Sequence, residues 1–96
     1  DNARHENAMA ALLAQGLGSL AGAALLQPVD ANEVFVALPE TLVAALEARG
    51  FGFYRWPMNA ASPGVPIRLV TSYATPRSQV EEFLAAARAG TLAGRA

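Results

Sequence analysis

Apolar side chains recur every three or four positions in three segments of the chain, and this spacing predicts three helices. The predicted helices cover residues 1–20, 39–50 and 76–90. Thr75 is predicted to cap the third helix, because a threonine hydroxyl can accept a hydrogen bond from a free amide of the first turn. Gly90 is predicted to end the same helix, so residues 91–96 would form a frayed tail.

Four segments between the helices are rich in β-branched and aromatic residues, and this composition predicts strands. They are the apolar run AALLQPV and the segments EVFVAL, FGFYRW and IRLVTSY. In the last segment, alternation places Ile67 and Leu69 on one face and Arg68 on the other. The predicted order is α-β-β-α-β-β-α. Short connections then favour an α+β fold, with a small antiparallel or mixed sheet that carries its helices on one face.

The chain carries few charges for a free-standing domain. Its 96 residues form one domain, 1–96, in which 53% are hydrophobic and 16% are charged, against about 25% charged in typical soluble domains. We therefore expect one face to pack against something outside this chain. The sequence begins almost directly on the predicted helix 1–20, which we interpret as a linking helix from a longer polypeptide.

Charge and composition also exclude several classes of function. The formal net charge is −1 and there is no basic run, so we expect no nucleic-acid partner. No apolar stretch reaches the about 20 residues of a membrane span, and no signal peptide is apparent, so we expect no membrane partner and a cytoplasmic location. All seven basic residues are arginines and there is no cysteine. This chain therefore offers no lysine for a Schiff base and no thiolate for catalysis or metal binding.

Most polar residues of the sequence give no pattern typical of a catalytic or metal site. The glycine-rich stretch 16–22 follows a helix, whereas phosphate-binding loops connect a strand to a helix. The carboxylates of Asp30, Glu33 and Glu40 are scattered at the ends of predicted elements, and we interpret them as solvated. His5 has no second histidine near it and is predicted to lie on the surface of the first helix.

Arg68 is the best functional candidate. A guanidinium stays charged at ordinary pH and is costly to bury without an anion, yet Arg68 lies inside an apolar strand-like run. Either it lies on a solvated face or an anionic group binds it. If the opposite face of the strand packs on the helices, its N–H donors could hold a carboxylate at two points.

Four segments, taken in order, resemble the C-terminal part of the low-specificity L-threonine aldolases, which belong to the β-eliminating lyases with the type I fold of pyridoxal-phosphate enzymes. They are NARHENAMAALLAQGL, PVDANEVFVALP, GFGFYRW and IRLVTSYATPRSQVEEFLAAAR. Together they cover nearly the whole chain. The resemblance implies that this chain is the small C-terminal domain of a longer enzyme that cleaves L-threonine or L-allo-threonine to glycine and acetaldehyde.

The same resemblance implies roles for individual residues and for the rest of the enzyme. The arginine of the family's R-L-V-T segment, Arg68 here, binds the α-carboxylate of the amino-acid substrate. Asn32 matches the family's asparagine before the V-F-V strand, which we interpret as a structural turn residue, with a place beside the active site as the alternative. Pyridoxal phosphate would be held by the large domain of the same polypeptide, whose Schiff-base lysine is not in this chain. The isolated chain is therefore expected to be inactive, and the full-length enzyme to be a homo-oligomer.

Two alternatives to an enzyme segment remain, and the surroundings of Arg68 distinguish them. A free-standing α+β module that binds a small amino acid should surround Arg68 with convergent donors and enclosing walls. A structural or oligomerisation domain should pair it internally with a carboxylate. A segment of an enzyme should present it on an open, partly apolar sheet face.

Overall fold

The computed structural model describes residues 2–27, 32–56, 64–72 and 74–93, which form three helices and four strands. In chain order these are α1 (Asn2–Gly18), β1 (Ala24–Leu25), β2 (Glu33–Leu38), α2 (Glu40–Ala48), β3 (Tyr54–Arg55), β4 (Val65–Val70) and α3 (Arg77–Ala93). The predicted order α-β-β-α-β-β-α and the α+β class are confirmed. None of the helices in the described ranges has the length and apolar character needed to cross a membrane.

The sheet is antiparallel, with strand order β1-β2-β4-β3. Its centre is the pair of six-residue strands β2 and β4, which run in register from Glu33 opposite Val70 to Leu38 opposite Val65. The edge strands β1 and β3 contain two residues each. The central pair therefore fixes where every side chain of the sheet points, because successive residues alternate between the two faces.

The three helices cover one face of the sheet, which we call the inner face. Alternate residues of the two central strands are buried there: Val34, Val36, Leu38, Ile67 and Leu69. They join one apolar core with residues of all three helices, among them Leu17 of α1, Val43 of α2 and Phe83 of α3. Since each buried side chain of this size stabilises the fold by about 1.5–3 kcal/mol, this layer supplies most of the driving force for folding.

Helix α2 ends as its sequence predicts. Gly50 has φ +88°, and its N–H donates to the carbonyl of Glu47 while the N–H of Phe51 donates to the carbonyl of Leu46. This is the Schellman arrangement, in which a residue in the left-handed conformation satisfies the last carbonyls of a helix. The chain therefore leaves α2 pointing back towards the sheet, where Phe51 packs against the core.

Both ends of α3 differ from the prediction. The helix begins at Arg77, and the carbonyl of Pro76 accepts the N–H groups of Gln79 and Val80, so Pro76 and not Thr75 occupies the cap position. At the other end α3 continues through Gly90 to Ala93. A Cβ at residue 90 would lie 2.6 Å from Cδ1 of Leu42, so glycine there reflects the close approach of α2. The predicted tail 91–96 is thus helical at 91–93, and residues 94–96 lie outside the described ranges.

Candidate functional site

Arg68 lies on the face of the sheet opposite the helices, which we call the outer face. It is directly opposite Phe35 on β2 and Tyr54 on β3, and directly opposed residues of antiparallel strands point to the same face. Its neighbours Ile67 and Leu69 are buried on the inner face. The alternation predicted from the sequence is confirmed, and it places the guanidinium at the middle of the sheet on the side that bears no helix among the described residues.

Two side chains hold the guanidinium of Arg68. Its Nη2 forms an ion pair with Oε1 of Glu33, and its Cζ lies 5.1 Å from the ring centroid of Trp56. A cation over an aromatic face is attracted by the negative face of the ring. The side chains of Arg68 and Glu33 keep 26% and 32% of their exposure, so solvent and solutes can still reach the pair.

Trp56 is itself fixed from two directions. Its ring meets Phe35 edge to face, with centroids 5.8 Å apart, and its backbone N–H donates to the carbonyl of Pro66 on β4 at 2.9 Å. We call the four side chains of Glu33, Phe35, Trp56 and Arg68 the Arg68 cluster. It is an ordered arrangement of one cation, one anion and two aromatic rings on an accessible surface.

The surface beside the Arg68 cluster is an open depression of about 400 Å³. It is lined by Gly52, Phe53, Tyr54, Arg68 and Val70. Tyr54 and Val70 are 62% and 47% exposed. Within the described residues no walls enclose Arg68 and no set of donors converges with it. The open face expected of an enzyme segment and the internal carboxylate expected of a structural domain are both present, while the enclosed pocket of a self-sufficient binding module is not seen there.

Hydrogen bonds at the end of β4 fix the strand that carries Arg68. The side-chain amide of Asn32 donates to the carbonyl of Thr71 at 2.6 Å, and the N–H of Thr71 donates to the carbonyl of Asn32 at 2.9 Å. The buried hydroxyl of Thr71 donates to the carbonyl of Glu6 on α1 at 2.6 Å. Asn32 therefore acts on backbone groups, as its interpretation as a structural turn residue predicted.

His5 contributes to the same end of the fold. It is half-buried on α1, and its Nε2 lies 2.6 Å from the carbonyl oxygen of Thr75, so this ring nitrogen donates. The prediction of a surface residue is therefore only partly right. In the described part of the chain no group of three or more histidine, aspartate or glutamate side chains could hold a metal ion.

A second ionic cluster lies away from Arg68, between β3 and α2. The guanidinium of Arg55 binds Glu40 and Glu47, with shortest distances of 2.9 and 2.8 Å. The hydrogen bond from Arg55 holds the pKa of Glu47 below its ordinary value, and the two carboxylates raise the pKa of Arg55. All three side chains are at least 41% exposed, and every N–H of the guanidinium that the structure shows in use goes to one of the two carboxylates, so this cluster ties strand to helix.

Glu33 is the residue that sequence reasoning missed. The interpretation of Glu33 as a solvated carboxylate is wrong, because Glu33 pairs with Arg68. The two residues lie 35 positions apart, and they meet only because β2 and β4 pair in the observed register. The alternation of each strand indicated which face each residue occupies but not which residues would be neighbours. Asp30, grouped with Glu33 in the prediction, lies outside the described residues.

Known threonine aldolases are similar to this chain in sequence, and a solved structure of one of them is similar in fold. No family model matches the sequence. A low-specificity L-threonine aldolase of a Pseudomonas species is 34% identical over 88 residues, which are 92% of this chain and 24% of that protein. The enzyme of the same name from Pseudomonas aeruginosa is 46% identical over 52 residues, 54% of this chain and 15% of that protein. The solved structure of Leishmania major threonine aldolase covers 91% of this chain with a TM-score of 0.76 and 30% identity.

The chain is homologous to a segment of the low-specificity L-threonine aldolases. It spans about a quarter of the Pseudomonas species enzyme and less of the Pseudomonas aeruginosa enzyme. The aminotransferase TlmJ of Streptoalloteichus hindustanus covers 99% of the chain with a TM-score of 0.70 but only 19% identity, so it shares the fold alone. The small α+β architecture is thus common to this chain, to the Leishmania major threonine aldolase and to an aminotransferase.

Proposed function

We propose that this chain is the small C-terminal domain of a pyridoxal-phosphate-dependent, threonine aldolase-like lyase, and that Arg68 binds the α-carboxylate of its amino-acid substrate. The threonine aldolase relatives support the reaction class, cleavage of L-threonine or L-allo-threonine to glycine and acetaldehyde. The observation that carries the role of Arg68 is its position as an accessible guanidinium on an open sheet face beside aromatic side chains.

The chemistry of Arg68 suits a carboxylate ligand. A guanidinium presents five N–H donors in a planar fork that matches the two oxygens of a carboxylate. The neighbouring Phe35, Trp56 and Val70 replace part of the surrounding water with apolar surface, which strengthens a charge-assisted hydrogen bond relative to one in bulk water. Bound in this way, the substrate would be held at two points and would have a defined orientation for the bond that breaks.

The residues of this chain do not fit the cofactor itself. The sequence contains no lysine, and the glycine-rich stretch after residue 15 ends helix α1 instead of leading from a strand into a helix. In our proposal the cofactor is held by the large domain of the same polypeptide, with the outer face of the sheet turned towards it. The full-length enzyme would act as a homo-oligomer in the cytoplasm, and the isolated chain would have no activity.

The test is an aldolase assay on the full-length protein, comparing wild type with Arg68→Ala. Acetaldehyde release from L-threonine would be followed with added pyridoxal phosphate. We expect kcat/KM to fall on the order of 100-fold, the loss that follows when a substrate is no longer positioned, while the absorbance of the bound cofactor stays unchanged. Arg77→Ala is the matched control, because Arg77 is exposed and pairs with Glu81 on α3; its kcat/KM should equal that of wild type.

Unchanged kcat/KM in Arg68→Ala would refute the proposed role. The competing proposal is that Arg68 is structural, in a folding or oligomerisation domain, and the pair with Glu33 favours it. On that view Arg68→Ala would lower the melting temperature, or change the oligomeric state, without a specific loss of substrate binding.

A further inference from the structure

The register of the sheet places a carboxylate beside the proposed carboxylate-binding arginine. Glu33 is opposite Val70 and Arg68 is opposite Phe35, so Glu33 and Arg68 are diagonal neighbours on the outer face, a separation that long side chains can bridge. An anion at this position would repel a carboxylate ligand if it only added negative charge. The geometry of the contact between Glu33 and Arg68 indicates instead that Glu33 orients the guanidinium.

Glu33 accepts a hydrogen bond from only one nitrogen of the Arg68 guanidinium. In the described part of the chain this is a single hydrogen bond, from Nη2 of Arg68 to Oε1 of Glu33. A guanidinium has two edges at which neighbouring N–H groups lie parallel, one formed by Nη1 with Nη2 and one by Nε with Nη2. Nη2 has one hydrogen at each edge. Whichever hydrogen Glu33 accepts, the other edge keeps both of its donors, and two parallel donors are what bidentate carboxylate binding requires.

Trp56 and Glu33 together restrict the orientation of that free edge. The indole ring lies against the guanidinium with Cζ 5.1 Å from its centroid, and Phe35 holds the indole edge to face. Glu33 limits rotation of the guanidinium within its plane. An arginine without such contacts would have to give up much of its rotamer freedom when it bound a ligand.

We propose that Glu33 is a positioning residue, whose hydrogen bond holds Arg68 with one two-donor edge directed to the substrate carboxylate. The proposal rests on the proposed function of Arg68. It adds a residue that acts through Arg68 without touching the substrate. The expected consequence is on ligand affinity: without Glu33, the ligand must itself order the arginine. Immobilising one rotamer-rich side chain corresponds to about a 2- to 10-fold weaker affinity.

The experiment uses the full-length protein with the variants Glu33→Ala and Glu33→Gln, together with Arg68→Ala. The affinity for glycine, the expected amino-acid product, would be measured by calorimetry, and kcat and KM for L-threonine by acetaldehyde release. Glutamine keeps an oxygen that can accept the hydrogen bond but removes the charge. Glu81→Ala is the matched control, because Glu81 is an exposed glutamate that pairs with an arginine on α3.

We expect Glu33→Ala to raise KM and the dissociation constant of glycine by about 2- to 10-fold, with kcat and melting temperature close to those of wild type. Glu33→Gln should stay within about 2-fold of wild type, since the hydrogen-bond acceptor remains. Unchanged or tighter binding in Glu33→Ala would overturn the proposal and indicate that Glu33 is idle or competes with the ligand. Ligand binding that is weakened as much in Glu33→Gln as in Glu33→Ala would also overturn the proposal. A joint loss of kcat, affinity and melting temperature in Glu33→Ala would overturn it too.

The variant Arg68→Ala distinguishes a failure of the proposed role of Glu33 from a failure of the proposed role of Arg68. If this variant loses affinity and Glu33→Ala does not, only the role of Glu33 fails. If Arg68→Ala binds glycine and cleaves L-threonine as wild type does, the proposed function of Arg68 fails first, and the role of Glu33 fails with it.

Discussion

Among the glycines in loops of the described chain, Gly64 should be the one whose replacement by alanine destabilises the fold most. Gly64 immediately precedes β4 and has φ +106°. A Cβ there would lie 2.9 Å from the carbonyl oxygen of Leu38 and 3.2 Å from its carbonyl carbon. Leu38 is fully buried and pairs with Val65 in the sheet, so its backbone cannot move aside without disturbing the central strands.

Two effects destabilise Gly64→Ala, the unfavourable backbone conformation and the close approach to Leu38, and substitutions at other glycines measure them separately. An L-residue at positive φ costs about 1–2 kcal/mol, and a backbone distortion of about 7° in a bond angle adds about 1 kcal/mol. Alanine also restricts the unfolded chain, which offsets about 0.4–1 kcal/mol. The net loss expected for Gly64→Ala is therefore about 2 kcal/mol. Gly50→Ala has the positive φ without a clash and should lose about half of that.

Gly52→Ala is the matched control, because a Cβ at residue 52 would meet nothing within 4 Å and the backbone is not in the positive-φ region. It should be neutral or stabilising by up to about 1 kcal/mol. The three free energies of unfolding would be measured by urea denaturation of the 96-residue chain, followed by far-ultraviolet circular dichroism. If Gly64→Ala were as stable as Gly52→Ala, the reasoning from backbone conformation and close approach would be refuted.

Two further predictions concern polar contacts away from the Arg68 cluster. The pKa of Glu47 lies below its ordinary value of 4.5 because Arg55 donates a hydrogen bond to it; the stabilisation is therefore present above pH 4.5 and is lost as the pH falls through the lowered pKa. The melting temperature of Arg55→Ala should be below that of wild type at pH 6 and approach it on acidification, and a gap that is constant or widens would contradict this. Thr71→Val removes the buried donor to the carbonyl of Glu6 and should cost about 1 kcal/mol in urea denaturation. Thr71→Ser keeps the donor and shows separately what loss of the methyl group costs; a Thr71→Val variant as stable as wild type would contradict the prediction.

Local patterns in the sequence determined much of this protein. The 3.6-residue and two-residue periods depend only on the geometry of helix and strand, so they were sufficient to predict the order of the elements and the opposite faces of Ile67 and Arg68. The end of α2 just before Gly50 was predictable for the same reason, since a helix C-terminus is formed by residues within one turn of it. The lack of lysine followed from composition alone.

Only the tertiary structure decided what Arg68 meets. The contacts with Glu33 and Trp56 depend on the strand order β1-β2-β4-β3 and on the register of β2 with β4, which join residues that are distant in the chain. The same applies at Gly90, where the sequence indicated a helix end but α3 continues and the side chain of Leu42 on α2 approaches closely. A periodic pattern assigns a side chain to a face, whereas its neighbours on that face are set by packing of the whole chain, and that packing creates the candidate site.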